Sequence, residues 1–391
     1  MAAEVLSAAG VAVDLYDRMP TMGRKFLMAG RGGLNLTHSE PFDAFVSRYG
    51  AAARALRPIL DAFPPAASIA WAEGLGQPVF SGSSGRVFPK AMKASPLLRA
   101  WLSRLAANNV RFHTRHDWVG WDETGTLLFH AEGQTKSSHA DAVILALGGA
   151  SWPRLGSDGG WTKIFTRKHV AVTPLAPSNC GFAIAWSDIF KTRFAGQPLK
   201  HVAVSFGERT ARGDCMITDY GIEGGAVYAL SPELRDYIAA RGPARVRIDL
   251  RPDMPHAQVT QRLDRPRGGQ SFSNYLRKAA NLSPLEINLL REAHGAALDG
   301  DATTLAQRIK SASLTATATQ GLARAISTAG GIAFSALDEN LMVREMPGVY
   351  AAGEMIDWEA PTGGYLLQAC MATGAFSAKA VLRRLQTQAP T

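Results

Sequence analysis

The sequence predicts an α/β fold in which one parallel sheet is interrupted along the chain by a second, antiparallel β domain. Three observations predict it. Two Gly-rich stretches lie near opposite ends of the chain, at 23–37 and 348–375, and each follows a strand-like apolar run. Ala142–Leu147 is a short, fully apolar segment of the kind that occupies a central parallel strand. Between them, 181–228 alternates in short runs separated by turn residues, which is typical of antiparallel strands.

Local patterns predict the elements of the first domain. A helical apolar period over Ala2–Ala9 predicts a helix, and the alternating segment VAVDLYD predicts a strand that ends at Asp17. Further patterns predict helices at Phe42–Ala62, Ser68–Gly74 and Ser95–Asn108, then a β-meander that begins at Val110–His130. Helices alternate with strands here, as they do in an α/β domain.

Prolines mark the passage into a second domain. TPLAP, at Thr173–Pro177, combines two prolines with a change of pattern, and such segments are typical of domain crossings. We place the first domain at 1–173 and 324–391, because the chain returns to it around Ala325. The inserted, substrate-side domain then covers 174–323.

The inserted domain has two kinds of pattern. Short alternating runs over Gly181–Tyr228 predict an antiparallel sheet or barrel. At about 254–313 the pattern is helical, and Ser283–Pro284 and Asp301 have the residue types that begin helices. We therefore expect a helical subdomain beside the β structure.

The C-terminal Gly-rich segment, GVYAAGEMIDWEAPTGGYLLQACMATGA, predicts a site for an anionic ligand. The apolar run Val349–Ala352 meets Gly353, and then Gly363 and Gly364 open a small-residue helix at Tyr365–Leu382. A strand, a Gly-lined turn and a helix N-terminus present backbone N–H groups to a phosphate or an anionic ring. With the stretch at the other end of the chain, this segment predicts one extended ligand bound by a discontinuous domain.

Five blocks, in order along the chain, carry a resemblance to a known family. They are GRKFLMAGRGGLNLTH (Gly23–His38), GRVFPKAMKAS (Gly85–Ser95), ADAVILALGGASWPRLGSDG (Ala140–Gly159), MITDYGIEGGAVYALS (Met216–Ser231) and the C-terminal segment. Together they resemble the BaiN/YhiN-like FAD-dependent oxidoreductases over nearly the whole chain. The resemblance implies an FAD-binding Rossmann-like sheet of the two-dinucleotide-binding-domain type, with FAD as the cofactor.

The beginning of the chain departs from that family. FAD proteins of this kind start with a strand and a G-x-G-x-x-G loop, whose glycines let the backbone approach the pyrophosphate. MAAEVLSAAGVAVDLYD corresponds to the helix after such a loop and to the second strand. We expect the start codon to be assigned too far downstream, which leaves a gap in the parallel sheet. The alternative is a truncated, non-catalytic remnant that binds FAD weakly.

The resemblance also implies which residues bind the cofactor. Asp17, at a strand end, would accept hydrogen bonds from the adenosine ribose, and Arg24 and Lys25 would offset diphosphate charge. The Gly364 end of the last helix would stabilise negative charge on the reduced ring. The complete implied set is Asp17, Arg18, Arg24, Lys25, Gly30, Gly32, Gly33, Asn35, Thr37, Gly148, Gly149, Gly353, Glu354, Asp357, Gly363, Gly364, Tyr365 and Gln368.

Three positions differ from the family pattern at that site. Leu34 and His38 replace the Cys and Asn that usually flank the Asn35–Thr37 segment, and Leu366 replaces an Asn after GGY. Contacts to the edge of the ring are therefore expected to differ.

The flavin is expected to carry the chemistry, because the sequence has no Ser-His-Asp arrangement, metal cluster or paired-carboxylate site. Cys180, Cys215 and Cys370 are widely spaced, which disfavours a disulfide framework, a zinc site and a dithiol mechanism; Cys370 is interpreted as a buried helix residue. Tyr220, in a Gly-rich turn, is the candidate proton donor, although such a Tyr can also simply pack its turn. The predicted reaction is NAD(P)H-driven reduction of a conjugated C=C bond, or of a related electron-poor bond, in a small molecule.

Composition limits the remaining classes. Of 391 residues, 46% are hydrophobic and 19% charged, which is typical of a globular protein, and no apolar stretch reaches the ~20 residues of a membrane span. No signal peptide pattern is present, so we expect a cytoplasmic protein. The net charge of +9 and the arginines of Arg241–Arg267 leave an RNA-associated, tRNA-modifying flavoprotein as an alternative. A solvated basic surface explains them more simply, so a nucleic-acid partner is not the favoured prediction.

Overall fold

The computed structural model describes residues 1–30 and 32–388 and divides the chain into two compact units. Unit 1 is Met1–Ala176 with Ile326–Thr391, and unit 2 is Pro177–Ala325. The first segment contains, in chain order, α1 (Ala2–Ala8), β1 (Asp14–Asp17), α2 (Arg24–Ala29), β2 (Thr37–His38), α3 (Phe42–Ser47), α4 (Ala53–Ala62), α5 (Pro65–Gly74), β3 (Val79–Ser81), β4 (Arg86–Pro89), α6 (Ala94–Ala107), β5 (Arg111–Thr114), β6 (Asp117–Trp121), β7 (Leu127–Ala131), β8 (Gln134–Ser138), β9 (Val143–Leu145), α7 (Trp161–Arg167) and β10 (Val172–Ser178).

The chain then forms the elements of unit 2 and returns to unit 1. Unit 2 contains β11 (Phe182–Ile184), α8 (Asp188–Phe194), β12 (Pro198–Phe206), β13 (Arg209–Ile217), β14 (Gly221–Glu223), α9 (Gly225–Tyr228), α10 (Ser231–Arg241), β15 (Ala244–Asp249), α11 (His256–Leu263), α12 (Phe272–Ala280), α13 (Pro284–His294), α14 (Ala302–Lys310) and β16 (Ala312–Thr319). The returning segment contains β17 (Ser327–Ile332), β18 (Val349–Ala351) and α15 (Tyr365–Gln388).

Parallel strands form the centre of unit 1. β1 pairs in parallel with β5, and β9 pairs in parallel with β18, so that Val143 lies opposite Val349. The two pairs belong to separate two-stranded sheets. Val13, just before β1, and Ile144 of β9 nevertheless pack into one apolar cluster with side chains of α1 and α15. Burial of this cluster holds both strand pairs against the same long helix.

Two sequence-based assignments in unit 1 need correction. The predicted meander includes β5, but β5 pairs in parallel with β1, and the antiparallel meander is β6–β7–β8. Side chains alternate between the two faces in parallel and antiparallel strands alike, so the sequence pattern does not reveal which strand β5 pairs with. The predicted helix Phe42–Ala62 is also broken between α3 and α4, where Gly50 has φ of 52°. A left-handed residue cannot continue a right-handed helix.

Unit 2 is a closed six-stranded barrel with helices packed against it. The strand order is β11-β14-β13-β12-β15-β16, and helix side chains of α10–α14 share the buried core with the inward faces of the strands. Ser283 caps α13 in a reciprocal capping box with Glu286, and Asp301 accepts the Thr304 N–H at the start of α14. Both predicted N-caps are confirmed, because each supplies an acceptor to a free backbone donor.

Among residues 1–30 and 32–388, no helix combines the length and the apolar composition needed to cross a lipid bilayer.

Candidate functional site

A buried carboxylate lies just after β18 and connects four segments of unit 1. The Glu354 Oε2 atom lies 2.6 Å from Lys25 Nζ, and its Oε1 atom accepts a hydrogen bond of 2.9 Å from the Thr328 N–H. The Gly149 N–H is 3.4 Å from the same carboxylate, and Glu354 is only 8% exposed. Charge-assisted hydrogen bonds of this kind are among the strongest in proteins. Lys25, Gly149 and Glu354, predicted separately from sequence, are therefore brought together.

Thr328, on β17, is a member of this cluster that the sequence did not indicate. It is fully buried, and its Oγ1 atom accepts hydrogen bonds from the backbone N–H groups of Ala150 (2.9 Å) and Ser151 (3.1 Å). The Thr328 side chain lies so close to Gly149 that a Cβ at Gly149 would overlap it. The absence of a side chain at Gly149 therefore permits the turn after β9 to close on Thr328.

The turns after β9 and β18 begin with glycines in left-handed conformations. Gly148 has φ of 74° and Gly353 has φ of 76°, a region that favours glycine. Each carbonyl accepts a hydrogen bond from an indole N–H, Gly148 from Trp161 (2.8 Å) and Gly353 from Trp358 (2.9 Å). The carboxyl ends of adjacent parallel strands lie at one sheet edge, where α/β proteins commonly bind ligands.

The start of α15 is packed closely against β2. Gly364 has φ of 92°, and a Cβ there would lie 2.6–2.7 Å from backbone atoms of Thr37. The Thr37 Oγ1 and Asn35 Oδ1 atoms are buried and have no hydrogen-bond partner among residues 1–30 and 32–388, and the same holds for Ser151 Oγ. Buried polar atoms are nearly always satisfied in proteins, so these three are candidates for ligand contacts.

A polar network fixes the first residue of α15. The Tyr365 hydroxyl donates to Glu40 Oε1 (2.5 Å), and Arg48 donates to both oxygens of that carboxylate (2.6 and 3.1 Å). The Tyr365 ring stacks on His38 at a centroid distance of 5.4 Å, and its carbonyl accepts the Tyr49 hydroxyl at 2.7 Å. Hydrogen bonds from Arg48 lower the pKa of Glu40, whereas burial raises the pKa of Tyr365.

Glu40, Arg48 and Tyr49 were not found by sequence reasoning. They are single polar residues in the bend before α3 and in the turn after it, and no local motif marks them. Only their contacts with Tyr365, more than 300 positions away, reveal their role.

The acidic residue at the end of β1 is held by its own turn. Asp17 Oδ1 accepts the Met19 N–H at 2.8 Å, and burial raises the pKa of the Asp17 carboxyl. Arg18 points to two other carboxylates, 2.5 Å from Asp158 and 3.4 Å from Asp117. Arg18 therefore takes part in an exposed ion-pair network, which contributes little stability.

The glycines of the N-terminal Gly-rich stretch have different surroundings. A Cβ at Gly30 would lie 2.5 Å from that of Ala94, and a Cβ at Gly33 would lie 2.6 Å from the Met92 side chain. Gly32, with φ of 79°, has open space around it. Gly30 thus permits close packing with the start of α6, while Gly32 provides a turn. Arg24, at the start of α2, donates to the Thr21 hydroxyl at 3.0 Å.

Two other predicted residues are bound to protein groups. Gln368 is completely buried; its amide oxygen accepts the Ser68 hydroxyl (2.6 Å) and its nitrogen donates to the Phe63 carbonyl (2.8 Å). The Gln368 side chain therefore ties α15 to α5, and both ends of its amide are bound to protein groups. Asp357 accepts the Thr173 hydroxyl at 2.6 Å and remains half-buried.

Tyr220 belongs to unit 2, in the turn before β14. Its hydroxyl donates to Glu223, and the Arg324 guanidinium lies 6.0 Å from its ring centroid. Burial, reinforced by the Glu223 carboxylate, raises the pKa of Tyr220 above its usual range. The phenol therefore keeps its proton at physiological pH.

Cysteine chemistry has little support in this geometry. Cys370, on α15, lies near Gly353. Burial raises the pKa of the Cys370 thiol to about 12, so little of it is present as the nucleophilic thiolate. Cys180 and Cys215 are buried free thiols in unit 2.

Comparison with known proteins identifies the family. A family model described as "HI0933-like protein Rossmann domain" matches residues 1–380. The chain belongs to this family. It is accordingly a flavoprotein oxidoreductase, with an FAD-binding Rossmann-like fold and FAD as its cofactor.

Two curated relatives span nearly the whole chain. The 3-dehydro-bile acid delta(4,6)-reductase of Clostridium scindens is 26% identical over 388 residues, covering 95% of this chain and 93% of the relative. The ribosomal RNA dihydrouridine synthase of Escherichia coli is 27% identical over 381 residues, covering 92% of this chain and 89% of the relative.

Solved structures share the fold at low sequence identity. A 3-ketosteroid delta1-dehydrogenase from Sterolibacterium denitrificans matches with a TM-score of 0.53 and 13% identity, covering 98% of this chain and 97% of that one. The FrdA chain of Escherichia coli quinol fumarate reductase matches with a TM-score of 0.51 and 14% identity, covering 100% of this chain and 69% of that one.

We predict that Thr328→Val destabilises unit 1 by about 2 kcal/mol or more, because each buried N–H left without a partner costs about 1–3 kcal/mol. Thr328→Ser keeps the hydroxyl and should lose only the contribution of one methyl group, about 1 kcal/mol. Urea unfolding followed by tryptophan fluorescence measures both, since all tryptophans except Trp186 belong to unit 1. Equal losses in the two variants would contradict the assigned role of the hydroxyl.

We also predict that Gly364→Ala destabilises the protein more than Gly76→Ala does. Both glycines have positive φ, 92° and 71°, for which an alanine costs about 1–2 kcal/mol. Space around Gly76 is open, whereas a Cβ at Gly364 meets the Thr37 backbone. Protease resistance of unit 1 should fall in Gly364→Ala, with unit 2 unaffected; indistinguishable digestion of the two variants would refute the packing role.

Proposed function

We propose that this flavoprotein reduces an electron-poor C=C bond, conjugated to a carbonyl, in a small organic molecule, with NAD(P)H as the electron donor. One observation carries the proposal: Lys25, Gly149 and Glu354 meet at the ends of β9 and β18, and Thr37 meets Gly364 at the start of α15, in a chain whose family is established. The electron donor and the bond reduced are inferred from chemistry and from the relatives.

The residues in unit 1 fit FAD. Buried oxygens of Asn35, Thr37 and Ser151 have no partner among the described residues, as expected of atoms that contact a polar ligand. Lys25 supplies positive charge suited to a diphosphate, although Glu354 balances part of it. The free N–H groups at the start of α15 complete a set of donors for an anionic ligand.

Bound FAD supplies hydride transfer between a nicotinamide and a substrate. The chain's own residues would orient it and stabilise charge. The positive end of the α15 dipole favours a negative ring, and the Tyr365–Glu40–Arg48 network keeps that helix end in place. Tyr220, protonated at physiological pH, is the proposed donor of the proton that completes reduction of the C=C bond.

The names of the relatives support this reaction class. A delta(4,6)-reductase acts on ring C=C bonds of a 3-dehydro-bile acid, and dihydrouridine is uridine with its C5=C6 bond reduced. Both bonds are conjugated to a carbonyl, which makes the distal carbon accept hydride. We therefore infer a conjugated enone or enamide as the substrate class.

Reduction of a uracil base in RNA is the second candidate. It is favoured by a relative of 27% identity over 92% of the chain, and by a net charge of +9. A basic protein attracts a polynucleotide regardless of its sequence.

A stepwise experiment tests these proposals. Purified protein with bound FAD is mixed anaerobically with NADH or NADPH while flavin absorbance is followed. The reduced protein is then mixed with a 3-oxo-4,6-diene steroid or with unmodified ribosomal RNA. We expect reoxidation by the enone and formation of its dihydro product. Dihydrouridine in the RNA would select the second candidate, and failure with both acceptors would reject the shared reaction class.

We predict that Tyr220→Phe slows substrate reduction by about 10²–10⁴-fold, the usual loss when a general acid is removed. Flavin reduction by NAD(P)H should stay nearly unchanged, because it needs no proton from this residue. Rapid-mixing kinetics measure the half-reactions separately, and Cys370→Ser serves as a control that leaves both unaffected. A Tyr220→Phe protein with full activity would instead give Tyr220 a packing role only.

A further inference from the structure

The barrel of unit 2 has a basic cavity on its outer face. The cavity has a volume of about 460 Å³ and is lined by Gly207, Arg245, Arg247, Ser311 and Ser313. None of these residues belongs to the cofactor cluster of unit 1 or surrounds Tyr220.

Strand alternation creates the charge in this cavity. In β15, Ala244, Val246 and Ile248 are buried in the barrel, whereas Arg245 and Arg247 are exposed. Residues two apart in a strand lie on one face, about 6.8 Å from each other. The two guanidinium groups therefore project from the same side of the sheet.

Hydroxyl groups flank the two arginines. Across the strand pairing, Arg247 lies opposite Ser313 of β16 and opposite Ser205 of β12, and Arg245 lies opposite Thr315. Directly opposite residues have neighbouring side chains. Cations and neutral donors are thus placed together, which suits an oxyanion.

Neither guanidinium is neutralised by a carboxylate in the part of the chain that the structure describes. Among residues 1–30 and 32–388, Arg247 donates only to the Gly207 carbonyl, at 3.1 Å. Four other basic groups of unit 2 are ion-paired: Arg209 with Glu233, Arg212 with Asp253, Arg251 with Glu286 and Lys310 with Asp249. The Arg245–Arg247 pair is therefore a free positive charge in a concave surface.

We propose that this cavity binds the phosphate of a phosphate ester. Guanidinium groups match the geometry of phosphate oxygens and bind them in pairs of hydrogen bonds. The volume lies in the range of small-ligand pockets, about 300–1,000 Å³, so it exceeds the need of a single phosphate. No aromatic residue lines the cavity, so recognition depends on the phosphate rather than on base stacking. A mononucleotide and a polynucleotide are two sources of this chemistry.

Direct binding tests the site without any turnover, and hence independently of the proposed function. Calorimetric titrations with inorganic phosphate and with 5′-AMP are compared with the anisotropy of a labelled 12-nucleotide RNA. In Arg245→Gln/Arg247→Gln, affinity for at least one ester should fall about tenfold or more. The affinity for a ligand bound at another site, including the FAD site, should be unchanged in this double variant.

A matched control separates the site from general charge. Arg209→Gln/Arg212→Gln also removes two positive charges from the barrel, but from arginines that are already ion-paired. This control variant should change the affinity for each phosphate ester less than twofold. For RNA, only the Arg245/Arg247 variant should reduce the salt slope of log K, by about 1.4 for two single-strand phosphate contacts. Ser313→Asp, which places a carboxylate opposite Arg247, should also weaken binding.

The outcomes decide both the site and its ligand. Loss of 5′-AMP binding in the cavity variants assigns a mononucleotide ester, and loss confined to RNA assigns a polynucleotide backbone. The proposal is overturned if no probe binds, or if the cavity and control variants weaken binding equally.

Discussion

A carboxylate buried at a strand end must be paired, and the arrangement of the candidate cofactor site depends on how Glu354 meets this requirement. Taking a charge out of water costs several kcal/mol unless a counter-charge and hydrogen bonds compensate. Lys25, in α2, provides the counter-charge, and backbone groups of Gly149 and Thr328 provide hydrogen bonds. Segments far apart in sequence are thereby fixed at the edge of one sheet. A ligand that brings negative charge would compete for Lys25, so the same pair links cofactor binding to local structure.

Close backbone packing adds a second constraint. Thr37 approaches Gly364 so closely that no side chain fits, which sets the start of α15 against the N-terminal Gly-rich stretch. The Tyr365–Glu40–Arg48 network then fixes the direction of the helix. A helix end held this way keeps its free N–H groups oriented before a ligand arrives. Preorganised donors lose little when charge develops beside them.

Local pattern accounts for what the sequence predicts well. The apolar run of β9, the glycines after β9 and β18 and the caps at Ser283 and Asp301 each follow from a few neighbouring residues. Contacts between distant segments have no such signal. Thr328 and Arg48 could not be found because nothing near them in sequence indicates the backbone or the carboxylate that they meet. Glycine patterns likewise indicate permissive positions but not the approaching group, which is Ala94 at Gly30 and Thr37 at Gly364. The parallel partner of β5 was missed because alternation does not encode strand direction.

The polar groups of the two units are satisfied in different ways, and this difference bears on which ligand each unit can bind. In unit 1 the charged groups near the strand ends are mostly paired within the protein, and what remains is a set of neutral oxygens and helix N–H groups suited to a cofactor. Such a set is common to any reaction that uses the same cofactor, so it does not distinguish a steroid from a uracil. Specificity requires polar groups that are unpaired in the free protein. One substrate satisfies these groups, and another leaves them unpaired. Arg245 and Arg247 meet that criterion in unit 2, because a phosphate ester would neutralise them and an uncharged enone would not.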